Sequence, residues 1–172
     1  FTTLQGAIAV STFVRGDRIY AIVVASSDNG IQLVDVSNPS SPVALGSANA
    51  GQPGFTSLDN CRSVSTYVRG DRTYAIVAAD GHNGDCILIV DVSDPSSLVA
   101  LGSVTEEPRL AGTYGVTTFA RGDRTYAIVA GRQSGEPNGI TILDVTDPSS
   151  PTVVAFATDG QDGFTTLASA TD

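Results

Sequence analysis

Val14-Arg15-Gly16-Asp17-Arg18-Ile19-Tyr20-Ala21-Ile22-Val23 decides the fold, because the chain writes it three times. It returns as Val68-Arg69-Gly70-Asp71-Arg72-Thr73-Tyr74-Ala75-Ile76-Val77 and as Ala120-Arg121-Gly122-Asp123-Arg124-Thr125-Tyr126-Ala127-Ile128-Val129. The Arg-Gly-Asp triplets lie 54 and then 52 residues apart. Downstream of each copy comes a second shared segment, Leu33-Val34-Asp35-Val36-Ser37, Ile89-Val90-Asp91-Val92-Ser93 and Leu143-Asp144-Val145-Thr146. Asn38-Pro39-Ser40-Ser41, Asp94-Pro95-Ser96-Ser97 and Asp147-Pro148-Ser149-Ser150 close these segments. Tandem repetition at this period is the mark of a repeat architecture. The units run over 1–54, 55–108 and 109–163, and the tail 164–172 restarts the pattern.

Each unit reads as four strands. In the first, Ala7 to Val14 alternates apolar with small or polar residues, as a half-buried strand does. Gly16-Asp17 is a tight turn, since Gly accepts positive φ and Asp bonds turn backbone. Ile19 to Ala25 is a continuous β-branched and aromatic run, the pattern of a strand covered on both faces. Asp28-Asn29-Gly30 turns the chain, Ile31 to Val36 forms a third strand, and Pro39 ends it because proline cannot donate to a ladder. Pro42 to Ser47 is a weaker fourth strand at the edge. No segment has helical periodicity over a useful length. The class is all-β, and about fifty residues per four-stranded unit is the period of a propeller blade.

Composition sets the outer limits. The chain has 172 residues, 41% hydrophobic and 16% charged, enough for a core and against disorder. Its 9 basic and 18 acidic residues leave a net charge of −9, so no basic patch exists to neutralise phosphates and nucleic acid is not an expected partner. All basic residues are Arg. The apolar runs are too short to cross a bilayer. With no initiating Met and no leader segment, a processed chain or a piece of a longer one is expected.

Segments such as Ile87-Leu88-Ile89-Val90-Asp91-Val92 resemble the LVIVD repeat family, and the likeness extends over all three units. The resemblance implies four-stranded propeller blades and a place in bacterial or archaeal cell-surface proteins. It brings no shared catalytic motif.

Propellers typically use about four to eight blades, so three units leave a bare sheet face at each end. The chain opens Phe1-Thr2-Thr3-Leu4, the second unit opens Phe55-Thr56-Ser57-Leu58, and Phe164-Thr165-Thr166-Leu167 begins a fourth that stops at Asp172. Phe1, Leu4, Phe55, Leu58, Phe164 and Leu167 are therefore expected at unit junctions. The pattern fits a cut through a longer repeat protein, a tail that clasps the first blade, or a tail that joins a neighbouring copy by strand addition. Self-association with other copies of the chain is the favoured expectation, an open fibre ahead of a closed ring.

Little catalytic chemistry is legible. The Arg-Gly-Asp triplets resemble an integrin-binding signal, but three equally placed Gly-Asp pairs suit a structural turn better. Arg18, Arg72 and Arg124 should pair with Asp35, Asp91 and Asp144, one pair per unit. Cys61 and Cys86 both fall in the second unit, where the first has Ala7 and Gly30 and the third Thr113 and Gly139. A disulfide between them is expected. It would close a loop of about 25 residues, worth about 3 kcal/mol on the loop-entropy model, and would imply an extracellular setting. Asp80, Asn83 and Asp85 are a weak calcium candidate without the full ligand pattern; otherwise no metal or cofactor is expected. His82 is the single histidine and no base accompanies the serines, so the chain is expected to be a structural protein without enzymatic activity. A ligand- or glycan-binding propeller would instead show a polar axial pocket, with Arg62 and Tyr114 as candidates. A hydrolase would show converging carboxylates, for which Glu106, Glu107 and Glu136 are available.

Overall fold

A computed structural model describes residues 4–81, 84–105, 109–110, 112–131, 138–160 and 163, with the backbone alone for Gly84 and Asp85. The strands are β1 (Ala7–Arg15), β2 (Arg18–Ala25), β3 (Gly30–Asp35), β4 (Val43–Asn49), β5 (Cys61–Arg69), β6 (Arg72–Gly81), β7 (Gly84–Asp91), β8 (Val99–Val104), β9 (Thr113–Arg121), β10 (Arg124–Gly131), β11 (Gly139–Asp144) and β12 (Thr152–Thr158). They form three four-stranded antiparallel sheets in the orders β1-β2-β3-β4, β5-β6-β7-β8 and β9-β10-β11-β12. Among the described residues there is no helix. The first strands β1, β5 and β9 lie side by side, so the sheets are arranged like consecutive propeller blades.

The turns follow from the repeated dipeptide. Arg15 pairs with Arg18, Arg69 with Arg72 and Arg121 with Arg124, each across a two-residue Gly-Asp loop. Gly16, Gly70 and Gly122 take φ of 62°, 61° and 63°, a conformation a Cβ would disfavour.

Strand alternation explains the core. In the second blade, Tyr74, Ile76 and Ala78 of β6 with Ile87 and Ile89 of β7 pack on the third blade's Ala127, Val129, Leu143 and Val145. The intervening Ala75, Val77, Leu88 and Val90 pack on the first blade's Tyr20, Ile22, Val24, Ile31 and Leu33. Side chains of one strand thus serve two blades, which is why the middle strands read as apolar on both faces. Phe55 and Leu58 are buried in the cluster shared by the first and second blades.

Candidate functional site

Every blade carries the same internal pin. Arg18 Nη1 donates to Asp35 Oδ2 at 2.6 Å, and Arg72 to Asp91 and Arg124 to Asp144 at 2.5 Å each. The backbone N–H groups of Ser37, Ser93 and Thr146 bond the other carboxylate oxygen. Ser37, through side chain and backbone, and then Arg18 hold the Asp35 carboxyl below its ordinary range. At Asp91 desolvation pushes upward, and Ser93 and Arg72 outweigh it. Asp144 is held low chiefly by Thr146. These groups fix the ends of strands within a blade, and the three carboxylates are engaged in doing so.

Other repeated groups cross from one blade to the next. Arg15 Nη1 reaches the backbone carbonyl of Asp71 at 3.3 Å, and Arg69 Nη1 reaches that of Asp123 at 2.9 Å. Hydroxyls join the first strands: Ser11 with Thr66 at 3.0 Å, and Ser65 with Thr118 at 3.4 Å. Gly46 N–H donates to Pro95 O at 2.8 Å. The stacked pairs Phe13–Tyr20 and Tyr67–Tyr74, with centroids 5.3 and 5.2 Å apart, are buried, and Tyr67 Oη donates to Val145 O across the second junction.

The third blade repeats this equipment without a mate. Phe119 and Tyr126 stack at 5.4 Å, yet Phe119 is 41% exposed where Phe13 is 7%. Ile128, Ile140 and Ile142 are only half-buried, whereas Ile76, Ile87 and Ile89 are fully buried. Arg121 is exposed and has no hydrogen-bond partner among the described residues. At the opposite end, Val10 is 60% and Ile19 44% exposed, against 6% for Val64 and 3% for Thr73 at the same places in the second blade. The centre of that face is covered: Ala21, Gln32 and Val34 are buried, and the Gln32 amide donates to Leu33 O, Leu45 O and Gly46 O.

The expected disulfide is absent. Ala79 of β6 pairs with Cys61 on one side and Cys86 on the other, so two strand spacings, about 10 Å, separate the cysteines and exceed the roughly 7 Å a disulfide spans. Both are buried thiols. Cys61 donates to Leu58 O at 3.1 Å, and burial pushes its pKa up to about 12.

Of the calcium candidates, Asp80 is engaged by Arg62 at 3.1 Å. Asn83 lies outside the described residues, and Asp85 is described by its backbone. Among the described residues no three His, Cys, Asp or Glu side chains group to hold a metal. Arg62 and Tyr114 do meet, with the guanidinium 5.6 Å from the ring centroid at the starts of β5 and β9. Leu4 is half-buried, and its carbonyl accepts the Ala7 N–H at 3.1 Å. Phe1, Phe164, Leu167, Glu106, Glu107 and Glu136 lie outside the described residues.

Arg15 and Arg69 of the triplets, expected only beside a structural turn, reach to the next blade. Their recurrence at nearly constant spacing was the available signal; the backbone acceptor left no mark in the sequence.

Several solved structures share this fold. A thermostable family-43 glycoside hydrolase is similar with a TM-score of 0.61 at 10% identity, over 96% of this chain and 59% of its own. The Bombyx mori GH32 β-fructofuranosidase gives 0.59 at 12% identity, over 94% and 38%. An α-L-arabinofuranosidase from Lactobacillus brevis gives 0.57 at 12% identity, over 90% and 55%. The chain thus spans less than two thirds of each. The expectation of a chain without enzymatic activity is corrected by these neighbours. The fold is one that glycoside hydrolases use, so a sequence lacking a recognisable nucleophile or base does not exclude catalysis on it. At such identities the likeness is one of fold. No curated protein sequence matches the chain. The LVIVD repeat model matches residues 9–50, 65–106 and 125–158, one segment in each blade, and the chain belongs to the LVIVD repeat family.

Proposed function

We propose that this chain is a self-associating blade module, in which the third blade of one copy packs on the first blade of the next. The observation that carries this reading is the stacked Phe119–Tyr126 pair. Its equivalents at Phe13–Tyr20 and Tyr67–Tyr74 are each sealed by a following blade, and this one is not. Continuity supports a second copy as the occupant, because the same junction already forms twice within the chain; the first blade differs at its centre, where Gln32 stands in the place of Leu88 and Thr141 and bonds its own blade. Two copies joined at both ends would make a closed ring of six blades, and a junction that does not close would make a filament. We place the module at the cell surface on the family resemblance; the two buried thiols remove the disulfide argument for that setting.

Sedimentation velocity of the purified chain over a wide concentration range tests the reading. A dimer, or a series of larger species growing with concentration, is expected. A monomer at every concentration overturns it.

A second reading has its own support. Arg62 lies over the ring of Tyr114, which is 41% exposed at the axial end of β9, and an aromatic ring beside a guanidinium suits a sugar ring with its apolar face and hydroxyls. The glycoside hydrolases of similar fold favour a carbohydrate as that ligand, bound or processed. Titrating soluble oligosaccharides while following tyrosine fluorescence tests it, with Tyr114→Ala as control. No saturable change with any sugar sinks this second reading.

A further inference from the structure

We infer that Arg121 is the residue that recognises the next copy, donating to the backbone carbonyl of its Asp17, and that Ala155 keeps this junction weaker than the two inside the chain. The inference rests on the self-association reading above and adds the contact that specifies it.

Three hairpin loops carry an arginine immediately before Gly-Asp, and each loop also offers the carbonyl of its aspartate. Arg15 is used on Asp71 O and Arg69 on Asp123 O, always from one blade to the following one. That leaves one donor, Arg121, on the last blade and one acceptor, Asp17 O, on the first. They sit at opposite ends, so a single chain cannot satisfy them through this junction, whereas two copies placed head to tail can. Guanidinium donors reading a backbone carbonyl are indifferent to the acceptor's side chain, so the first blade of a copy serves as well as a fourth blade would.

The surroundings of the contact are nearly reproduced. Inside the chain, Arg15 lies in the field of Asp94 and Arg69 in that of Asp147, the aspartates that open the Asp-Pro-Ser-Ser turns. The first blade has Asn38 there, with the same turn hydrogen bond to Ser40 N–H at 3.1 Å but no charge. The copy-to-copy contact therefore lacks one ion-pair partner.

A second difference is steric. Gly46 and Gly102 sit at the bulges of β4 and β8, where the next blade's turn comes closest. A Cβ on Gly46 would lie 2.9 Å from Pro95 O, and one on Gly102 would lie 2.7 Å from Pro148 O and 2.6 Å from Pro151 Cδ. In β12 the equivalent residue is Ala155, placed by the same bulge between Ile142 and Leu143. A first blade arriving in the manner of an internal junction brings Pro39 O and Pro42 Cδ to that methyl group. The turn must then stand off, and the copy-to-copy junction closes less tightly than the internal ones.

Sedimentation equilibrium of the whole chain reads both parts, with circular dichroism confirming that each variant folds. Arg121 is exposed, so Arg121→Gln leaves the blades intact and weakens association about tenfold, the effect of losing one charged hydrogen bond. Ala155→Gly tightens association by about the same factor, against the usual expectation for glycine in a strand. Either variant associating like wild type overturns the inference and leaves self-association standing. A chain that stays monomeric throughout, Ala155→Gly included, overturns the self-association reading itself.

Discussion

Phe13 and Phe119 are the same residue type at the same place in two blades, each stacked on a tyrosine, and differ in what lies beyond. Replacing each with alanine therefore isolates the contribution of a following blade. Phe13 is 7% exposed, and its removal leaves a cavity between the first two blades, so Phe13→Ala should destabilise by about 3–5 kcal/mol. Phe119 is 41% exposed and solvent can fill the space it vacates, so only a partial transfer loss of about 1–2 kcal/mol applies. With a urea slope of about 2–3 kcal/mol/M, the unfolding midpoint falls by roughly 1–2 M in the first variant and by less than about 1 M in the second. The measurement is made at the lowest usable protein concentration and repeated at high concentration. The proposed association would stabilise the native chain by mass action, so the wild-type midpoint should rise with concentration and that of Phe119→Ala should not. Equal, concentration-independent losses in both variants would mean that the third blade's face is already covered within one molecule, and the reasoning would fail.

Three further outcomes are expected. Gly102→Ala should destabilise by about 1–3 kcal/mol, because its Cβ meets Pro148 O and Pro151 Cδ below 3 Å; an unchanged thermal midpoint would show that the two blades are not so close. Cys61 and Cys86 should resist thiol reagents until the chain unfolds, and reductant should leave the melting temperature unchanged; rapid labelling of the native protein would contradict their burial. The carboxyls of Asp35, Asp91 and Asp144 are held below their ordinary value of 3.8, so their contribution is present above that pH and is lost as pH falls through the folded values. Asp91→Asn should flatten part of the acid unfolding profile below about pH 4, and an identical profile would refute the linkage.

The strands were legible because alternation, Gly-Asp turns and proline stops each repeat three times, so an accident in one unit is corrected by the others. Burial on both faces of β6 and of most of β2 followed from their unbroken apolar runs, although Ile19, at the start of the run in β2, is 44% exposed because no blade precedes it. The cysteine geometry was not legible, since a coincidence of two substitutions in one unit suggests a pair while an intervening strand forbids it. The arginine contacts stayed hidden for a different reason. A side chain that reads a backbone carbonyl 54 or 56 residues away requires no particular residue at the far end, and sequence records only residues.

The way the three units differ separates two kinds of chemistry on one molecule. Identical or nearly identical positions hold a blade together or hold it to the next: the hairpin glycines, the stacked aromatic pairs, the Arg–Asp pins, and Arg15 and Arg69 of the triplet arginines. The starts of the first strands instead differ from unit to unit, with Ile8, Arg62 and Tyr114 at corresponding places. A requirement shared by every junction would make the units alike, whereas a single ligand on the axis would make them unlike, because each blade meets a different part of it. The proposed assembly is thus of a kind that repetition can encode, and a ligand site is to be read where repetition breaks. The two can be tested apart: Arg121→Gln acts on the first without touching Arg62 and Tyr114, and Tyr114→Ala acts on the second without touching the end faces.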